Sequence, residues 1–331
     1  MPKAAFFSND AFQIQRVFAA GRKERIQAEL DLYPEIISSQ NFEQHLPNLQ
    51  DLEYIFSTWG MIALTEEQIG RLPALKAVFY AAGSVQYFAR PFLKRGVQVV
   101  SAWGANAVPV AEFVISQIIL SAKGYFSGER ICRSSEGRGH FINHYPGLFD
   151  TSIALLGAGM IGTRVIELLK PFSVEVLVFD PFLNPARAAL LGVKQVSLEE
   201  AFERGFVVSN HLANLPETRG MLTAALFERM QPYATFINTG RGATIDEAGM
   251  LAVLARRPDL TALLDVTEPE PPLPDSPIYR LENVLLSPHI AGSFDREVLR
   301  QADYMIEEYQ RLRDGLALRY AVSLEMLKTM A

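Results

Sequence analysis

From residue 151 onward the chain alternates short apolar runs with amphipathic segments. The runs are residues 153–156 (IALL), 176–179 (VLVF), 206–209 (FVVS), 234–237 (ATFI), 262–264 (ALL) and 284–286 (VLL). Their apolar residues are continuous rather than alternating, the pattern of strands buried on both faces. Between them, residues 160–170, 222–230 and 246–256 carry apolar side chains at helical spacing. Ser197-Leu198-Glu199-Glu200 has the form of a capping box opening another helix. Strands alternating with helices predict a parallel sheet with helices on both faces. Six such strands complete a doubly wound, dinucleotide-type unit.

The first hundred residues are less regular. Candidate strands are residues 4–7, 54–57, 77–81 and 97–100. Residues 294–316 place Val298, Leu299, Ala302, Met305, Ile306, Tyr309 and Leu312 near helical spacing. This helix follows the sixth strand and is free to pack back on the first part of the chain. The expected division is therefore 1–102 with 293–331 as one domain and 103–292 as the other. The most apolar stretch, residues 108–122 (VPVAEFVISQIILSA), contains Glu112 and Gln117 and is shorter than the roughly 20 residues of a membrane span. It reads as a buried helix.

Composition narrows the picture. A chain of 331 residues suits two ordinary domains, and 49% hydrophobic with 21% charged residues is a globular balance. The net charge of −6 gives no reason to expect nucleic acid or an anionic membrane as a partner. The single cysteine, Cys132, excludes an internal disulfide and a cysteine metal site, and fits a reducing cytoplasm. The N-terminal MPKAAFFSNDAF lacks the apolar core of a signal peptide, so a cytoplasmic protein is expected.

Gly157-Ala158-Gly159-Met160-Ile161-Gly162 is a GxGxxG sequence. It follows an apolar strand, opens a helix, and has Asp180 after the next strand, 23 positions from Gly157. In that context it predicts dinucleotide binding on a Rossmann-type sheet. The glycines let the backbone approach a pyrophosphate, and the helix N-terminus supplies free N–H groups. Asp180 suits a ribose 2′-OH and repels a 2′-phosphate, which favours NAD over NADP. The plainer reading is a glycine-rich turn and an Asp that caps a strand.

Ligands of open α/β sheets bind at the C-terminal strand ends. In order, those ends carry Gly157, Asp180, His211, Arg241, Asp265 and His289. With the usual order 3-2-1-4-5-6, the last three converge on the nicotinamide side. An Arg holds a carboxylate in a bidentate fork, and a His exchanges a proton near neutrality; both suit reduction of a 2-oxo acid. A histidine that must be protonated gains from an anionic neighbour, and the loop DVTEPEPPLPDSP offers Asp265, Glu268 and Glu270. The residues alone leave Glu268 and Glu270 open. Arg241 has the plainer reading of covering a helix start, and His289 that of a loop histidine. His211 reads as structural, because strand three lies far from the nicotinamide. His45, His140 and His144 read as surface or loop residues, with no carboxylate pattern for a metal site.

Together these stretches resemble the D-isomer-specific 2-hydroxyacid dehydrogenases, a family that includes glyoxylate and hydroxypyruvate reductases and phosphoglycerate dehydrogenases. The matching segments include LKAVFYAAGSVQ, NAVPVAEFVISQIIL, GAGMIGTRV, VFDPF, FINTGRGATIDEAGMLAVL and LLSPHIAG, spanning about residues 75–292. The resemblance implies Arg241, Glu270 and His289 as catalytic residues, with Glu270 the partner of His289. It implies NAD held by Gly157, Gly159, Met160, Ile161, Gly162, Asp180, His211, Thr239, Asp265 and His289, with Asp265 on the nicotinamide carboxamide. It implies substrate contacts from Trp59, Gly60, Gly83, Ser84 and Arg241. It further implies a flavodoxin-like substrate domain, discontinuous in sequence, and a homodimer built largely through the coenzyme domain. The pattern departs at His211-Leu212-Ala213-Asn214-Leu215-Pro216, where the family commonly has H-x-P-x-T. No regulatory extension follows the last helix, so the long allosteric phosphoglycerate dehydrogenases are not the expected match.

The expectation is an NAD(H)-dependent reductase of small 2-oxo acids, such as glyoxylate or hydroxypyruvate, to D-2-hydroxy acids. Phosphohydroxypyruvate or a bulkier 2-oxo acid is the alternative within the class. From another class, the alternative is a dinucleotide-sensing binding protein such as a corepressor. All three catalytic residue types are present, which a pure sensor does not require.

Overall fold

The computed structural model describes residues 1–139 and 144–328, so His140 lies outside the described residues. Among the described residues there are thirteen strands, numbered along the chain. They are β1 (Lys3–Phe7), β2 (Asp31–Leu32), β3 (Leu52–Ser57), β4 (Ala77–Tyr80), β5 (Gln98–Ser101), β6 (Thr151–Leu156), β7 (Val174–Phe179), β8 (Lys194–Gln195), β9 (Val207–Asn210), β10 (Thr235–Asn238), β11 (Thr261–Leu264), β12 (Val284–Leu286) and β13 (Ala321–Val322). The chain divides into two compact units, residues 1–106 with 293–331, and residues 107–292.

The first unit is built on a sheet of order β13-β5-β4-β3-β1-β2, parallel except for β13. Its five parallel strands follow the flavodoxin-like order, with a switch point between β1 and β3. One face buries Phe7, Ile55, Val78 and Tyr80 against Phe42, Phe88 and Phe92. The other buries Phe6, Phe56 and Phe79 against Ile14, Val17 and Phe18 of the first helical segments. On this second face the amphipathic helix Val298–Arg313 lays down Val298, Ala302, Met305, Ile306 and Tyr309.

In the second unit all strands are parallel, in the order β12-β11-β10-β9-β6-β7-β8. Side chains alternate across the sheet, and both faces are covered. Ile153, Leu155, Val207, Ile237 and Leu263 pack with Val165 and Ile166 of helix Met160–Leu169. Ala154, Leu156, Val208, Phe236 and Leu264 pack with Phe202, Phe227, Met250 and Leu254 of three helices on the opposite face. Double burial is why the strands read as continuous apolar runs.

Four expectations are corrected. The sheet has seven strands, not six. The added β8 is two exposed polar residues at the sheet edge, and no apolar run announces it. Residues 207–210 are therefore the fourth strand and pair with β6, so His211 stands at the switch point and not on the adenosine side. The apolar helix runs Trp103–Ala122, a full 20 residues, long and apolar enough by length and composition to cross a membrane. Its Val110, Ala111, Val114 and Ile118 are nevertheless packed in the core of the second unit. At residue 197, the Ser197 hydroxyl does accept the Glu200 amide, but the Glu200 carboxylate pairs with Arg204, so the capping box is half formed.

Candidate active site

The strand registers set Phe179, Leu156, Asn210, Asn238, Leu264 and Leu286 side by side. One residue further along, each strand leaves the sheet at Asp180, Gly157, His211, Thr239, Asp265 and Ser287. At about 4.8 Å per strand, this row of mostly polar residues is roughly 24 Å long. It is the C-terminal rim that ligands of such sheets use.

Second in this row, next to Asp180, is the glycine turn. Gly157 has φ +99°, and a Cβ there would come within 3.1 Å of the His211 carbonyl. A Cβ on Gly162 would sit 2.0 Å from the Gly157 carbonyl, so glycine is required for the helix to approach. At Gly159, by contrast, a Cβ would meet nothing within 4 Å, and no side chain caps the helix that follows. Free helix amides beside open space form a site for an anion. Asp180 braces this turn: Oδ2 accepts the Ala158 amide and Oδ1 the Phe182 amide, both at 2.8 Å. Each oxygen keeps one lone-pair position, suited to the hydroxyls of a ribose. Arg187 donates to the Ala158 carbonyl and the Thr163 hydroxyl from the other side.

Two buried polar atoms here have no partner among the described residues: His211 Nδ1 and Thr239 Oγ1. His211 Nε2 lies 3.0 Å from Ser209 Oγ. Orphaned groups on the rim, next to an open glycine cradle, fit a dinucleotide. Burial pulls the His211 imidazole down to about 4. An unfolded histidine titrates near 6.5, so on acidification the unfolded chain binds the proton first. The contribution of neutral His211 to stability is complete above about pH 6.5 and is lost as pH falls toward 4. His211→Asn should flatten the fall in Tm across that window, measured by thermal shift. Parallel curves for the two proteins would refute it.

Toward the other end of the row stands Asp265, 3% exposed. Its Oδ1 accepts the Ser287 hydroxyl at 2.5 Å and the Ile290 amide at 2.9 Å, and its Oδ2 accepts the Ala291 amide at 2.8 Å. The carboxylate thus shapes the loop that carries His289, leaving one lone-pair position on Oδ2 for another donor. Within that loop His289 takes the left-handed conformation, φ +54°. Its Nδ1 lies 2.5 Å from Glu270 Oε1. A carboxylate accepts, so Nδ1–H donates and Nε2 is left to exchange a proton. Glu268 pairs instead with Arg219, which resolves the choice between the two glutamates. Both partners of the His289–Glu270 pair are largely exposed, at 50% and 41%. Such a pair contributes about 0–1 kcal/mol, against roughly 1–2 kcal/mol for a left-handed residue. Stability does not account for the arrangement.

Arg241 follows β10. Burial lowers its guanidinium from the usual range, and the Glu270 carboxylate is close enough to push the other way. Glu270 thus bonds His289 directly and acts on Arg241 through its charge. The loops Arg241–Gly242 and Thr267–Glu268 are in contact, since a Cβ on Gly242 would fall 2.0 Å from the Thr267 carbonyl carbon. Among the remaining histidines, His45 bonds Tyr33 and His144 stacks on Tyr233.

Trp59, Gly60, Gly83 and Ser84 lie in the first unit, on loops after β3 and β4. Gly60 has φ +88°, and a Cβ there would be 2.7 Å from Ser8 Oγ. Trp59 is partly buried, and its carbonyl accepts from Ser8. Tyr87 ties the two loops by donating to the Met61 carbonyl. The Gly83 carbonyl accepts from Ser101 at 2.6 Å, while the Gly83 and Ser84 amides donate to no described residue. Free adjacent amides of this kind can receive an anion.

Residues 115–291 match the model of the D-isomer specific 2-hydroxyacid dehydrogenase NAD binding domain. The chain belongs to this family. Its dehydrogenase fold is seen again in a phosphoglycerate oxidoreductase from Rhizobium etli, with a TM-score of 0.80 at 21% identity over 99% of this chain and 100% of that one. A D-3-phosphoglycerate dehydrogenase of Archaeoglobus fulgidus is 30% identical over 71% of this chain and 44% of its own length. A glyoxylate reductase of Korarchaeum cryptofilum is 29% identical over 77% and 78%. This chain thus spans under half the length of the A. fulgidus relative.

Proposed function

We propose that this protein reduces small 2-oxo acids, such as glyoxylate or hydroxypyruvate, to D-2-hydroxy acids with NADH. The observation that carries the reading is the Nδ1–Glu270 hydrogen bond, which leaves His289 Nε2 free in a group that also holds Arg241. Gly157, Gly159, Met160, Ile161 and Gly162 would cradle the pyrophosphate, Asp180 the ribose, and His211, Thr239 and Asp265 the rim beyond. Bound NADH supplies the hydride. Arg241 holds the substrate carboxylate in a bidentate fork and draws charge onto the carbonyl oxygen. His289 Nε2 delivers the proton to that oxygen, and the Glu270 carboxylate stabilises the imidazolium. In the reverse direction neutral Nε2 takes the proton from the hydroxyl. We also propose a homodimer, in keeping with the family resemblance.

A second reading, phosphohydroxypyruvate as substrate, is favoured by relatives named D-3-phosphoglycerate dehydrogenase. One assay separates them: loss of NADH absorbance with glyoxylate, hydroxypyruvate, pyruvate, phenylpyruvate and phosphohydroxypyruvate. We expect the highest kcat/KM with glyoxylate or hydroxypyruvate, and a clear preference for NADH over NADPH from Asp180. A preference for NADPH would overturn the role of Asp180. Tight NADH binding without turnover of any 2-oxo acid would support a dinucleotide sensor instead.

A further inference from the structure

Behind Arg241 lies a set of polar side chains that the proposed chemistry does not use. Asn210, Asn238 and Thr244 are each 0% exposed. Asn210 ends β9, Asn238 ends β10, and Thr244 closes the short 3-10 turn Gly242–Thr244. Asn210 Nδ2 donates to Asn238 Oδ1 at 3.0 Å and to Thr244 Oγ1 at 2.9 Å, while its Oδ1 accepts the Leu212 amide at 3.1 Å. Asn238 Oδ1 also accepts the Gly240 amide at 3.1 Å, and its Nδ2 donates to the Arg241 carbonyl at 3.3 Å. The Thr244 hydroxyl donates to that same carbonyl at 2.8 Å.

The network is complete. The side-chain orientations follow from backbone groups that cannot exchange roles: the Gly240 N–H donates and the Arg241 carbonyl accepts. Both are backbone groups of the turn that carries Arg241. The guanidinium is tied in as well, since Nη1 donates to the Gly240 carbonyl at 2.8 Å. Apolar residues at these positions would leave the Gly240 N–H and the Arg241 carbonyl short of partners. A satisfied buried network also fixes one geometry, here that of the turn carrying Arg241.

We propose that Asn210, Asn238 and Thr244 are positioning residues that set the direction of the Arg241 guanidinium, with Thr244 as the direct strut. The proposal rests on the reading of Arg241 as the group that holds the substrate carboxylate. Thr244→Val keeps shape and volume but removes the hydroxyl, so the Arg241 carbonyl loses a donor and Asn210 an acceptor. Thr244→Ser keeps both bonds.

The test compares Thr244→Val, Thr244→Ser and Arg241→Lys with the unmodified protein. Steady-state KM and kcat are measured with the best 2-oxo acid of the panel, NADH Kd by fluorescence, and Tm. Thr244→Ala, which requires no new volume, replaces Thr244→Val should that variant fold poorly. We expect Thr244→Val to lower kcat/KM about ten- to hundredfold, mainly through KM. NADH Kd should stay within about threefold and Thr244→Ser should restore KM, because the bonds affected belong to the arginine turn. Unchanged KM in Thr244→Val, with Arg241→Lys impaired, overturns the network's role and leaves that of Arg241 standing. Parallel losses of Tm, NADH binding and kcat without a rise in KM would also overturn it, as a purely structural effect. Unimpaired Arg241→Lys would overturn the reading of Arg241 itself, and the positioning proposal with it.

Discussion

His289→Gln should lower kcat by about two to four orders of magnitude, while the protein still folds and binds NADH. Glutamine can fill much of the space and keep a hydrogen bond to Glu270, but it has no nitrogen that gains and loses a proton near neutrality. The fold will tolerate it. The position is exposed, and the loop is held from beneath by the three hydrogen bonds to Asp265 rather than by the imidazole. Some added strain is expected at φ +54°, where histidine is more at ease than glutamine. Tm should therefore drop slightly and NADH Kd should hold. Single-turnover reduction of the best 2-oxo acid, with Tm and NADH titration alongside, measures all three. Turnover near that of the unmodified protein would remove His289 as the proton donor. Glu270→Gln should give a smaller loss, because Nε2 stays in place and only the support for its charged form is removed.

The parts that could be read from the sequence are those in which one physical cause dominates. Double burial made the long parallel strands visible as apolar runs, and the glycine turn is legible because its geometry excludes every other residue at 157 and 162. The edge strand Lys194–Gln195 gave no such signal. It buries nothing and is held by two register pairs to β7. Without it the strand count is one short and His211 falls on the wrong side of the switch point, while β10, β11 and β12 remain neighbours. The choice between Glu268 and Glu270 needed coordinates, because both stand before a proline in the same loop and differ in which side of it they leave. Asn210 and Thr244 carried the least signal. Each looks like an ordinary strand or turn residue until the register sets Asn210 beside Asn238. Asp265 is legible from its position at a strand end, but its grip on the His289 loop depends on backbone amides that a sequence does not show.

Gly242→Ala should be among the most damaging single-methyl changes in the second unit. The added Cβ would lie 2.0 Å from the Thr267 carbonyl carbon, 2.2 Å from its oxygen and 2.5 Å from the Glu268 nitrogen. All three are backbone atoms, so no rotamer change relieves the overlap. The Arg241 turn or the segment carrying Glu268 and Glu270 must move. The buried network resists the first, since Arg241's carbonyl is bonded to Asn238 and Thr244. The second displaces Glu270 from His289. Overpacking typically costs about 1–3 kcal/mol, and a clash with fixed backbone belongs at or above the top of that range. We expect a loss of about 3 kcal/mol or more in stability together with at least a roughly hundredfold fall in kcat/KM. Gly159→Ala is the matching control, because a Cβ there meets nothing within 4 Å. That variant should keep its Tm and lose affinity for NADH, as the methyl enters the space reserved for the pyrophosphate. Denaturant unfolding, NADH titration and turnover on both variants test the pair. A Gly242→Ala protein as stable and active as the unmodified one would show that the two loops are not held in contact.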